Sequence, residues 1–148
     1  MNKEKKYIQL LKSIKSIIEN EQSLIANMAN ITSLIKESMG YFWVGFYIVD
    51  GEELVLGPFQ GTLACTRIKY GKGVCGKAWK ESKTLIVPDV NNFDGHIACS
   101  ALSKSEIVVP VFRNSNVVSI LDIDSINLNE FDNTDKKYLE EICELLTP

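Results

Sequence analysis

From Tyr41 to Val49 the chain runs nine residues without a charge, all but Gly45 aromatic or β-branched, and then meets Asp50-Gly51. The run is far short of the ~20 apolar residues that a bilayer span needs. Aromatic and β-branched side chains suit a pleated, half-buried surface, and Asp-Gly is a strong two-residue hairpin turn. The segment therefore predicts one arm of an antiparallel hairpin whose second arm covers Glu53 to Leu56. A sheet with an apolar face must be covered, and residues 1–40 supply the cover. Tyr7, Leu10, Leu11, Ile14, Ile17 and Ile18, then Leu24, Ile25, Met28, Ile31, Leu34, Ile35 and Met39, recur at three- and four-residue steps. They predict two amphipathic helices, with Ser23 suited to cap the second and Gly40 to end it in a left-handed turn.

Downstream, residues 64–70 read as a third strand, 73–83 as a short helix opened by glycines, and 85–87 as a brief strand closed by Pro88. Residues 91–103 form an irregular segment rich in turn formers. Two more strands, 106–112 and 117–124, are joined through 113–116, with Pro110 marking an edge position or a bulge. Residues 134–146 close the chain with an amphipathic helix through Tyr138, Leu139, Ile142, Leu145 and Leu146. The order predicts an α+β fold, an antiparallel sheet with helices packed on one face. At 148 residues, close to the ~150 of one domain, residues 1–148 are expected to form a single domain.

Sixteen basic against nineteen acidic residues leave a net charge of −3, which argues against a nucleic-acid face or a polybasic membrane anchor. Apolar residues at 45% and charged ones at 24% make disorder and coiled coil poor explanations. Charges at Lys3, Glu4, Lys5, Lys6, Lys12 and Lys15 break every apolar stretch near the start, so no secretory leader is expected and a cytoplasmic location is. Apolar positions on the first helix leave room for a homodimer. The four cysteines, Cys65, Cys75, Cys99 and Cys143, are too few for a disulfide scaffold. With His96 the sole histidine and no C-x-x-C pair, neither a metal site nor a cofactor is expected. Buried or reactive thiols remain.

Gly71-Lys72-Gly73-Val74-Cys75-Gly76 matches the dinucleotide-binding fingerprint, but antiparallel hairpins precede it where that motif needs a parallel βαβ unit. A tight strand-to-helix turn explains the glycines, and the helix start places positive partial charge near Cys75. Asp122 and Asp124 stand two apart in a strand and share one face, which Ile120 and Val118 would share too, so the pair is expected to line a cavity rather than meet solvent. Two acids that close raise the pKa of one of them, and a protonated carboxyl group can then donate. His96, three residues before Cys99, is either half of a Cys-His dyad or a turn residue after Asp94-Gly95. Cys143 reads as inert core.

Several stretches go beyond periodicity. They are Val55-Leu56-Gly57-Pro58-Phe59-Gln60-Gly61 with Ala64-Cys65, Gly71 to Gly76, Asp94-Gly95-His96-Ile97-Ala98-Cys99 with Ser105-Glu106-Ile107-Val108, and Leu121-Asp122-Ile123-Asp124-Ser125. Together they resemble the GAF-domain free methionine-(R)-sulfoxide reductases, from about Leu24 to the last helix. The resemblance implies a GAF-like fold and thiol-dependent reduction of free L-methionine (R)-S-oxide, with thioredoxin as the reductant. It implies that Cys99 attacks the sulfoxide sulfur and that Cys65 resolves the sulfenic acid as a disulfide. Cys75 is left as backup resolver, relay or nucleophile. Trp43 and Tyr47 would surround the substrate methyl group, with Glu106, Asp122 and Asp124 at the polar end. Ser100 departs from the family, in which the position after the third cysteine is often acidic.

Elementary chemistry ranks these groups. A thiol of pKa near 8.5 is about 3% thiolate at pH 7, and lowering the pKa by about two units gains roughly 25-fold. About tenfold of that is lost as nucleophilicity falls, whereas proton donation is worth about 10² to 10⁴. The acids should therefore carry more of the rate, with Glu106 and Asp124 polarising the sulfoxide and Asp122 holding the ammonium group that only a free amino acid has. The competing readings are a GAF module that senses a small ligand or redox state without turnover, and a structural interaction module that would leave the cysteine spacing unexplained.

Overall fold

A computed structural model describes residues 1–97 and 99–146. Ala98, part of one of the quoted motifs, lies outside the described residues. Helices α1 (Lys3–Ile18) and α2 (Leu24–Met39) occur where the three- and four-residue spacing puts them. Ser23 accepts the Ala26 N–H at 3.2 Å, and Gly40 ends α2 with φ +72°. Then follow β1 (Trp43–Asp50), β2 (Glu53–Gln60), β3 (Arg67–Lys69), α3 (Gly73–Glu81), β4 (Leu85–Val87), β5 (Ser105–Arg113), β6 (Asn116–Ser125) and α4 (Asn133–Glu144). The strands form one antiparallel sheet in the order β3-β2-β1-β6-β5-β4. The α+β, GAF-like architecture agrees with the sequence reading.

One face carries Val44, Phe46, Ile107, Val109, Leu121 and Ile123, all buried against the apolar stripes of α1, α2 and α4. The other carries Trp43, Tyr47, Val108 and Ile120, buried with Val74, Cys75 and Ala78 of the short α3. The three long helices thus take one face, and α3 with the loops takes the face that holds the chemistry. Val118 does not stand beside Asp122 as simple alternation predicts. The β5–β6 ladder steps from Val111↔Ser119 to Phe112↔Val117, which leaves Val118 as an extra, bulged residue. That slip turns Val118 toward the helix-side core. Pro110 lies past the end of β4, whose last pair is Leu85↔Val108, so β5 is an edge there and loses no ladder bond on that side. No helix among the described residues is long and apolar enough to cross a membrane, and Ile8 and Ile17 stand exposed on α1.

A buried polar knot ties the first helix to the last. Asp135 is fully buried and accepts from Tyr7 Oη at 2.5 Å, Tyr41 Oη at 2.5 Å and Lys3 Nζ at 2.7 Å. It also closes the capping box of α4 by accepting the Asp132 N–H at 2.9 Å. Removing the carboxylate strands four buried or half-buried donors. Asp135→Ala is therefore expected to cost about 3–5 kcal/mol, read as a lower urea midpoint at unchanged slope, with Asp135→Asn losing less.

Candidate active site

Sheet register builds the site before any loop is placed. Trp43 pairs with Asp124 and Gly45 with Asp122 across β1–β6. Glu106 pairs with Asp124 across β5–β6. Paired residues point to one face, so Trp43, Tyr47, Glu106, Asp122 and Asp124 share a wall. Gly45 makes room on it, because a side chain there would collide with the Trp43 ring. That ring stacks on Phe59 at 5.3 Å between centroids and donates its Nε1–H to the Thr62 carbonyl at 2.9 Å. Tyr47 donates its hydroxyl to the Cys65 carbonyl at 2.8 Å. The third strand is only the three residues Arg67–Lys69 rather than 64–70, although the Thr66 carbonyl still accepts the Leu56 N–H at 3.0 Å.

Cys65 and Cys99 form a disulfide with Cα atoms 5.7 Å apart. It joins the loop after β2 to the irregular loop before β5 and roofs a chamber of about 50 Å³, room for a few water molecules. Trp43, Tyr47, Cys75, Cys99, Glu106, Asp122 and Asp124 line this chamber. Every residue singled out in the sequence is thus brought together, Cys65 through its bridge. Cys75 and Cys143 are free and buried, Cys143 in the helix-side core. Ser100 lies at the pocket wall and turns its hydroxyl to the Leu102 N–H at 3.2 Å.

Burial and mutual repulsion push the acids toward their neutral forms. Burial, then the charge of Asp124, pushes Glu106 up to about 8. Burial followed by Glu106 raises Asp122 well above the carboxylate range, and burial followed by Asp122 does the same to Asp124. Both Glu106 and Asp122 are over nine-tenths buried, and Asp122 Oδ1 has no hydrogen-bond partner among the described residues. Cys75 lies at the third residue of α3, its Sγ 3.9 Å from Glu106 Oε2. Burial and then Asp122, Glu106 and Asp124 raise its thiol well above the ordinary range. The helix N-terminus expected to favour its thiolate is outweighed by burial and three acids.

The glycine run is a turn, as its antiparallel surroundings predict. A Cβ on Gly76 would stand 2.6 Å from the Lys69 carbonyl oxygen, so only glycine lets α3 start against β3. His96 is a turn residue whose N–H bonds the Phe93 carbonyl at 3.3 Å. Its Nε2 lies 3.6 Å from Glu106 Oε1, and burial lowers its pKa. The sequence reading did not anticipate this contact. Nor did it anticipate Gly45, although a lone glycine inside a β-branched strand marks a close approach.

Fold and site together define a GAF domain, and the GAF domain family model matches residues 21–147. GAF domain-containing protein A of Dictyostelium discoideum is 57% identical over 98% of this chain and 92% of its own length. The free methionine-R-sulfoxide reductase of Saccharomyces cerevisiae is 41% identical over 99% of this chain and 86% of its own. The X-ray structure of the free methionine-R-sulfoxide reductase of Neisseria meningitidis in complex with its substrate superposes with a TM-score of 0.97. It is 49% identical and covers 99% of this chain and 89% of that one. The chain belongs to the GAF-domain free methionine-R-sulfoxide reductase family.

Proposed function

We propose that this protein is an oxidoreductase that reduces free L-methionine (R)-S-oxide to L-methionine with its own thiols. The observation that carries the reading is the Cys65–Cys99 bridge beside a chamber walled by buried acids. With the bridge reduced, the Cys99 thiolate attacks the sulfoxide sulfur while Glu106, paired across the sheet with Asp124, gives its proton to the oxygen. The adduct then rearranges: its S–S and substrate S–O bonds break as an S–O bond to Cys99 forms, so methionine leaves and Cys99 carries the oxygen as a sulfenic acid. Cys65 attacks that sulfur, the S–S bond forms and water departs. Thioredoxin then supplies two electrons and two protons to restore the dithiol, which suits a cytoplasmic setting. Trp43 and Tyr47 pack the substrate methyl group, and Asp122, whose Oδ1 lacks a donor, gives up its proton and receives the free ammonium group. A peptide-bound residue has no such group, so free substrate is preferred.

The reading is tested by following nicotinamide consumption through thioredoxin with each sulfoxide diastereomer. Turnover of the R form and not the S form is expected; ligand binding without turnover would instead identify a sensor. The pH profile tests the donor. Glu106 sits at about 8 and donates only when protonated, so kcat should fall as pH rises through about 8. An activity that keeps rising with thiolate formation beyond that point would remove Glu106 from this role.

A further inference from the structure

We propose that Cys75, Glu106 and Asp122 form a binding site for a borderline-soft divalent transition-metal ion, with Zn²⁺ the species that fits. One ligand atom from each residue lies within 4.8 Å of the others, and all three residues are buried. They come from α3, β5 and β6, three elements fixed by the sheet and the core, so their separation is a property of the fold. Tetrahedral zinc with Zn–S near 2.3 Å and Zn–O near 2.0 Å places its ligand atoms about 3.3–3.5 Å apart. Cys75 Sγ and Glu106 Oε2 are 3.9 Å apart, so that pair closes with a shift of about 0.4 Å, and the separations to Asp122, within 4.8 Å, close by side-chain rotation of at most about 1.5 Å. Asp122 Oδ1 points independently to a cationic occupant: it is buried, faces the chamber and has no hydrogen-bond partner among the described residues.

A thiolate with two carboxylates selects against Mg²⁺ and Ca²⁺, which take oxygen, and suits zinc or cadmium. His96, 3.6 Å from Glu106 Oε1, lies near enough to support the ligating carboxylate from outside. Binding displaces the Cys75 thiol proton and those held by the carboxyl groups into solvent, so affinity rises with pH. The ordinary search for C-x-x-C pairs and histidines misses such a site, because sheet register and a helix start assemble it from residues far apart in sequence. An ion there would occupy the place given above to the substrate ammonium group. That consequence rests on the proposed function, whereas metal binding does not.

The experiment uses the oxidised, metal-free protein, in which Cys65 and Cys99 are unavailable and Cys75 is the thiol at the chamber floor. Zn²⁺ is titrated in competition with a chromophoric chelator, and Cd²⁺ by its thiolate charge-transfer absorption, in the absence of substrate. One equivalent of Zn²⁺ and a cadmium band are expected, both unchanged in Cys143→Ala. Cys75→Ser should abolish the band and weaken Zn²⁺ binding by about 10²-fold. Glu106→Gln, nearly isosteric, should keep the band and weaken Zn²⁺ by at least about tenfold. Failure to retain Zn²⁺, a band that persists in folded Cys75→Ser, or unchanged affinity in Glu106→Gln overturns the site. Because no turnover is measured, each of these outcomes is separate from a failure of sulfoxide reduction.

Discussion

Cys99→Ser is expected to lower turnover of free methionine (R)-sulfoxide by at least about 10³-fold, with no sulfenic acid formed. A serine hydroxyl lacks the polarisable, readily ionised sulfur that the proposed attack and oxygen transfer need. The variant also loses the bridge, which closes a 34-residue separation and stabilises the oxidised protein by about 3–4 kcal/mol on the loop-entropy account. Cys65→Ala loses the same bridge and should show the same fall in stability, yet still form one equivalent of methionine per protein. In that variant the resolving thiol is gone, and Cys75, whose thiol burial and the neighbouring acids hold protonated, is a poor substitute, so the Cys99 sulfenic acid accumulates and can be trapped with a dimedone-type reagent. The pair therefore separates chemistry from stability: equal losses of urea midpoint, unequal single turnovers. Equal single turnover in both variants would move the nucleophile elsewhere, with Cys75 the next thiol in the chamber.

Glu106→Gln is expected to lower kcat by about 10² to 10⁴-fold while making the protein more stable near pH 8. The amide keeps the size of the side chain but has no proton to give to the sulfoxide oxygen. Stability moves the other way because the native state holds the Glu106 proton more tightly than the unfolded chain does. The folded value near 8 lies above the ordinary glutamate value of 4.5, so wild-type stability declines as pH rises between those values and levels off above them. Glutamine does not titrate, and its advantage over wild type should grow across that window to on the order of a few kcal/mol. A catalytic loss without this stability gain would mean that Glu106 is ionised in the empty site. Stability gained where activity is lost is the pattern expected of an acid cluster kept for chemistry.

The elements of this fold are legible in the sequence because each carries a local pattern. The stripes of residues 7–18 and 24–39 give α1 and α2, and Asp50-Gly51 gives the β1–β2 hairpin. Strand parity puts Asp122 with Asp124 on one face, and the β1–β6 register puts Trp43 and Tyr47 on that same face. Departures arise where tertiary contacts override the local pattern. Strand β2 continues through Pro58 to Gln60 because β1 pairs with Phe59 and Gln60 after a register shift. Beyond Val55 there is no β3 pair to disturb. The bulge at Val118 is set by the opposing strand. Asp135 is the site of largest consequence left unread, although Asp132-x-x-Asp135 is a capping-box spacing. Asp135 also falls on the stripe of Tyr138, Leu139 and Ile142, where an acid must find buried partners.

The shared claim is that one sulfur pair, Cys99 and Cys65, carries the electrons to the sulfoxide. Mixing fully reduced protein with one equivalent of free methionine (R)-sulfoxide, blocking remaining thiols and mapping peptides without reductant reads that pair directly. One methionine formed for each Cys65–Cys99 bridge, with Cys75 and Cys143 recovered as blocked thiols, is the result expected. Methionine formed with Cys75 oxidised, or with Cys65 and Cys99 both still free, would contradict it.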